Sequence, residues 1–134
     1  MSLRLCIPDA LSIVTGNSTL MQLLGSDATS RVTFARAMQG IAKPYITLNV
    51  GAADYESTVS TEDASAAYRI DYITYHDTAQ DALQIHDTLF DVLQAATSRN
   101  FDIRILDEDY FVDVDGVHRA TISVVFRTNL TVHR

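Results

Sequence analysis

Between residues 67 and 97 the chain changes its side-chain period once, without a break. In YRIDYITYH, Tyr68, Ile70 and Tyr72 share one side, and Arg69, Asp71, Ile73 and Tyr75 the other. That period of two is the signature of a half-buried strand. From about residue 78 the spacing becomes helical. Ala79, Ala82, Leu83, His86, Leu89, Phe90 and Leu93 form one stripe, opposite Gln80, Asp81, Gln84, Asp87, Asp91 and Gln94. A one-sided helix fed directly by a one-sided strand has to lie across the sheet that holds the strand. The helix is expected over about 78–97, roughly 30 Å long at about 1.5 Å per residue. Asp77 is its expected cap, with Gln80 as capping-box partner. If the Phe90 ring is fully buried, truncating it to alanine should cost about 3–5 kcal/mol.

The flanking segments fit the same plan. Pro8 suits a first helical turn, with Leu11 and Val14 on one face. Gly16 and Asn17 interrupt, and Asn17 or Ser18 can cap a second helix carrying Leu20, Leu23 and Leu24. Gly25 is a stop. RVTFARAM (31–38) reads as a strand broken by Gly40. Pro44 opens the next strand, with Ile46, Leu48 and Val50 facing one way and Tyr45, Thr47 and Asn49 the other. The polar stretch 51–66 then reads as one long loop, far beyond ordinary hairpin length. After the helix, Phe101, Ile103 and Ile105 alternate with Asp102 and Arg104. The acidic run Asp107–Glu108–Asp109 reads as a turn, YFVDV as a further strand, and Asp115–Gly116 as a two-residue hairpin turn. A last run over 117–132 sets Ala120, Ile122, Val124, Phe126 and Leu130 against Arg119, Thr121, Ser123, Arg127 and Asn129. The expected fold is α+β in a single domain, 1–134. It has an antiparallel sheet of about four to six strands, with the long helix and short N-terminal helices on one face.

Chemistry is sparse. No two of His76, His86, His118 and His133 stand at i, i+4 on one helix, and His86 reads as a packed, hydrogen-bonded core residue. DEDYFVDVDG fails as a calcium loop. The register ending at Gly116 puts Phe111 where the first aspartate belongs and Ile122 where the bidentate glutamate belongs. Asp71 and Asp113 read as strand-surface charges. No catalytic residue, cofactor or metal site is expected. The alternative, a small α+β enzyme or ligand-binding domain, would need a cavity between sheet and helices, with His86 and Tyr72 as its polar groups. The formal charge of −7 argues against general affinity for phosphate backbones or anionic membranes. No apolar run approaches the roughly 20 residues of a membrane span, and Pro8 and Asp9 break the start as a signal peptide. The single cysteine, Cys6, excludes an intramolecular disulfide and suits a reducing cytoplasm.

With the apolar residues turned to the helices, the other sheet face can be read off. It carries Tyr45, Thr47, Asn49, Arg69, Asp71, Tyr75, Asp102, Arg104, Thr121, Ser123, Val125 and Arg127. A mixed face of this kind is either solvated or a polar protein–protein interface. The candidate partner-interface residues are Arg69, Asp71, Tyr75, Arg104 and Arg127 from this face. Asp54, Tyr55, Glu56, Glu62 and Asp63 join them from the polar stretch.

STLMQLLG ends the helical N-terminus, KPYITLNV follows, and a polar loop leads into YRIDYITYHDTAQDALQIHDTLFDVLQ and a final long strand, ATISVVFRTNL. This order of segments resembles a known family, the tail-completion or tail-terminator proteins of long-tailed bacteriophages. The departure is the region 31–39, where the family typically has a clearer strand. The resemblance implies a structural virion protein, made in the bacterial host cytoplasm. It would cap the tail tube at the head-proximal end as a homo-oligomeric, hexameric ring. The implied partners are further copies, the tail tube protein and a head or neck connector protein. DNA would pass through the ring without sequence-specific binding. A head-completion or neck adaptor protein is the neighbouring alternative. Under this resemblance, the stretch 51–66 is expected to order against a neighbouring subunit or the tube.

Overall fold

The computed structural model describes residues 3–25, 31–34, 43–50, 54–56, 65–98 and 101–128. Helix α1 (Leu3–Thr15) buries Cys6, Ala10 and Val14, four residues apart, against the sheet. Pro8 lies inside this helix and not in its first turn, so one ladder bond, from position 8 back to position 4, is missing. Helix α2 (Ser18–Leu24) is capped by Asn17, whose Oδ1 accepts from the Leu20 amide at 2.9 Å. It ends at Gly25, whose φ of +114° suits glycine alone. The Arg31 guanidinium bonds the Leu24 carbonyl at 2.9 Å and ties this end to the sheet.

Among the described residues the sheet has six strands: β1 (Val32–Phe34), β2 (Tyr45–Val50), β3 (Asp54–Glu56), β4 (Ser65–His76), β5 (Phe101–Val112) and β6 (His118–Thr128). Their order is β1-β2-β4-β6-β5, with β3 paired to β4. The pairing is antiparallel except between β1 and β2, which run parallel. The expected strand over 31–38 is described only over Val32–Phe34; residues 35–40 lie outside the described residues.

Three expectations about loops are overturned. Ala67 pairs with both Asp54 and Arg127, so β3 occupies the same edge of β4 as β2 and continues its line. Part of the supposed loop 51–66 is therefore ladder, and the connection from β3 to β4 narrows to 57–64. The acidic run 107–109 is not a turn but the middle of β5. Ile105 faces Val124 and Asp107 faces Ser123, leaving Leu106 as the extra residue of a bulge. Before the bulge, Phe101, Ile103 and Ile105 point to the helices; after it, Glu108, Tyr110 and Val112 do. The hairpin to β6 also differs from the two-residue expectation. The Asp113 amide donates to the Val117 carbonyl, leaving the three-residue loop Val114–Gly116, with Gly116 at φ +81°.

Helix α3 (Ala79–Gln94) crosses the face formed by Ile46, Leu48, Tyr68, Ile70, Tyr72, Ile122, Val124 and Phe126. Its cap is Thr78, whose Oγ1 accepts from the Asp81 amide at 3.2 Å. Asp77 instead meets Lys43 at 3.5 Å. The buried stripe is Ala82, Ile85, His86, Leu89 and Leu93. Leu83 is exposed and Phe90 only half-buried, so the stripe sits rotated towards Ile85. The full-burial cost for Phe90 therefore does not apply. All six residues expected on the outer side of the helix are exposed.

Candidate interaction surface

Directly opposed residues in a sheet project to the same face, so the ladders arrange the helix-free face in transverse rows. At one end run Tyr45, Tyr75, Arg119 and Phe111. The two tyrosine rings stack at 4.7 Å between centroids, and the Arg119 guanidinium lies 4.0 Å over the Phe111 ring. Thr47, Ile73, Thr121 and Asp109 form the next row, then Asn49, Asp71, Ser123 and Asp107. Beyond these come Arg69, Val125 and Arg104, and finally Ala67, Arg127 and Asp102. Every residue assigned to this face from the sequence is on it.

The face is not uniformly wet. Arg69 lies across it, its Nε donating to Asp71 Oδ1 at 3.0 Å and its Nη2 to Ser123 Oγ at 3.1 Å. Ser123 is left only 2% exposed beneath it. At the Arg69 end, Asp102, Arg104, Leu106, Val125 and Arg127 surround a hollow of about 160 Å³. Two guanidiniums, one carboxylate and two aliphatic side chains line it. Among the described residues the Arg104 guanidinium forms no hydrogen bond or ion pair. The same end holds β3, through the pairing of Asp54 with Ala67.

The candidate residues therefore separate. Arg69, Asp71, Arg104 and Arg127 come together, with the backbone of Asp54–Glu56 adjacent. Tyr75 belongs to the opposite, aromatic end. Glu62 and Asp63 lie outside the described residues. Sequence reasoning missed Leu106, because a bulge residue belongs to neither alternation.

A second surface feature went unread. Tyr110, Phe111, Val112 and Val114 are all exposed, on the distal part of the β5–β6 hairpin. Leu83, 57% exposed on α3, borders the same region. Asp109, Asp113 and Asp115 are interspersed with them.

On the helix side, hollows of about 380 Å³ beside Phe90, Leu93 and Ile103 and about 290 Å³ beside Leu83, His86 and Glu108 lie between α3 and β5. The Tyr72 hydroxyl donates to the Ala10 carbonyl at 2.9 Å, and burial holds its pKa well above the ordinary value, with Cys6 and Asp9 adding to the effect. His86 Nε2 meets Glu108 Oε1 at 3.0 Å, a contact made possible by the bulge that turns Glu108 inward. The two polar groups expected to line a ligand cavity are thus committed to structural bonds. Among the described residues no group of histidine, cysteine and carboxylate side chains could hold a metal ion. No described helix is long and apolar enough to cross a membrane.

No protein-family profile and no curated protein sequence matches the chain. Solved structures do. A chain from the virion of a native gene transfer agent particle superposes with a TM-score of 0.67 at 18% identity, over 87% of this chain and 89% of that one. The bacteriophage SPP1 gp17 protein superposes at 0.54 with 17% identity, over 94% of this chain and 90% of that one. The fold is shared with both across nearly its whole length.

Proposed function

We infer that this chain is a structural protein of a phage-type virion, one that closes the head-proximal end of the tail tube as a ring of copies. The observation that carries the reading is the likeness to a gene transfer agent virion chain over 87% of this chain and 89% of that one. The SPP1 gp17 likeness supports it, at 94% and 90%, as does the order of segments along the sequence. A ring also suits a sheet with a mixed, partly packed outer face, because that face is built for neighbours of moderate polarity. On this reading Arg69, Asp71, Arg104 and Arg127 meet other virion chains, and the stretch 51–66 takes part in the same contacts. The formal charge of −7 favours a lumen along which DNA slides without adhering. The role is architectural and asks for no catalysis and no cofactor.

The test is reconstitution. The purified chain is mixed with tail tubes and, separately, with head-connector complexes of the same virion, then examined by negative-stain microscopy. Rings of uniform subunit number at one end of the tubes are the expected result. Binding to connectors but not to tubes would make the chain a head-completion or neck adaptor. Binding to neither would overturn the reading. Shortening 57–64 to a tight turn should leave the fold intact and weaken tube capping; undiminished capping would remove that segment from the interface.

A further inference from the structure

Two surface features of the β5–β6 hairpin match each other. At its tip, Val114 stands fully clear of the protein, between Asp113 and Asp115. Behind it, the exposed Tyr110 and Val112 lie on the helix side of β5 and the exposed Phe111 on the other. On the sheet face towards the other end of the same hairpin, the hollow presents the inverse pattern. It is lined by the aliphatic Leu106 and Val125, the cations Arg104 and Arg127, and Asp102. One feature is an aliphatic knob flanked by two carboxylates. The other is a hollow lined by two aliphatic side chains and by two guanidiniums that outnumber its one carboxylate. At about 160 Å³ the recess has room for a branched aliphatic side chain.

The two cannot meet within one copy. They lie roughly 30 Å apart along the hairpin, at about 3.3 Å per strand residue. A rigid hairpin does not fold back on itself, so any union has to join two molecules. The contact uses different patches on the two partners, which makes it head-to-tail and able to propagate into a closed ring.

We propose that the hairpin tip Asp113–Val114–Asp115 of one copy seats in the Arg104–Leu106–Val125–Arg127 hollow of a second copy. This deepens the ring reading above and rests on it for closure of the ring. The apolar core of the contact sets affinity, while the charges orient it and make it sensitive to salt.

The head-to-tail geometry gives a specific test. Val114→Asp spoils the knob and leaves the hollow; Arg104→Glu spoils the hollow and leaves the knob. Both positions are exposed, so both variants should keep the wild-type melting temperature to within a few degrees. By sedimentation velocity the wild type should self-associate with increasing concentration. Each variant alone should do so at least about tenfold more weakly, the effect of losing one interface anchor. An equimolar mixture should form a one-to-one heterodimer and nothing larger, because it holds one intact knob and one intact hollow. Variants that associate like wild type would overturn the proposal. So would a mixture without heterodimer, or a wild type still monomeric at about 1 mM. Tail-tube rings formed equally well by Val114→Asp would end this contact and leave the capping function standing. Head-to-tail association without affinity for tubes would do the reverse.

Discussion

His76 shows how a single buried residue makes the whole chain sensitive to pH. Its ring is fully buried, and its Nε2 lies 2.7 Å from Thr74 Oγ1. The Thr74 hydroxyl is spent on the Ala120 carbonyl, so Thr74 accepts and His76 donates from Nε2. Nδ1 is then the unprotonated nitrogen, and it has no partner among the described residues. A second proton would have to sit there without an acceptor. Burial accordingly lowers the pKa from 6.5 to about 4; His86 and His118 push the same way, against Asp81 and Asp77. Between those two values the unfolded chain binds the proton and the folded chain does not. Stability from this residue is therefore complete above pH 6.5 and declines as pH falls towards 4, by about 2–3 kcal/mol in all. Urea unfolding at stepped pH should show the decline, and His76→Gln should remove that component. Identical pH slopes in the two chains between pH 6.5 and 4.5 would refute the assignment.

Among the elements, the long strand β5 and helix α3 carry the sharpest expectations. Leu106 is an extra residue, so deleting it would regularise the ladder while Glu108 and Tyr110 stay on the helix side. That deletion should be tolerated. Deleting Ser123 from the regular part of β6 reverses the facing of everything beyond it and should abolish folding, as read by circular dichroism. In α3, Thr78→Ala should cost about 1 kcal/mol as the loss of a cap. Asp77→Ala, whose carboxylate is 70% exposed in its pair with Lys43, should change stability by less than about 0.5 kcal/mol. Equal losses on denaturant unfolding would mean that the cap is shared. These elements also show where sequence periodicity stops being informative. The outer face was legible on β2, β4 and β6, where period two holds, but Asp107, Asp109 and Phe111 of β5 were not read onto it. The adjacent apolar pair Ile105–Leu106 ends the alternation, so the acids beyond it look like a turn. β3 has no apolar alternation of its own and exists only through its ladder with β4. In α3, apolar residues flank the buried stripe on both sides, and whether Leu83 or Ile85 faces inward depends on where the sheet runs beneath.

As a whole molecule, the chain draws one hydrophobic cluster from all three helices and from β1, β2, β4, β5 and β6. The cluster runs without interruption from Cys6 to Phe126. A core shared so widely gives no element a private stability, so unfolding is expected as a single transition. Tyrosine fluorescence and far-ultraviolet circular dichroism should trace the same curve in urea; curves that separate would divide the chain into independent parts. α+β architecture was legible because the strand-to-helix switch at residues 76–79 forces helix onto sheet. The hairpin tip and its matching recess were not, because complementarity between distant surfaces leaves no local pattern. Cys6 sits at 0% exposure within the shared core, its thiol pushed up to about 12 by burial, with Asp9 adding to it. Such a thiol stays silent towards labelling reagents until α1 lifts from the sheet, so the pace of its modification is a clock for opening of the folded state. A second cysteine introduced at an exposed site can accordingly be dyed alone in the native protein, and two differently coloured preparations of one chain can report on each other as they assemble.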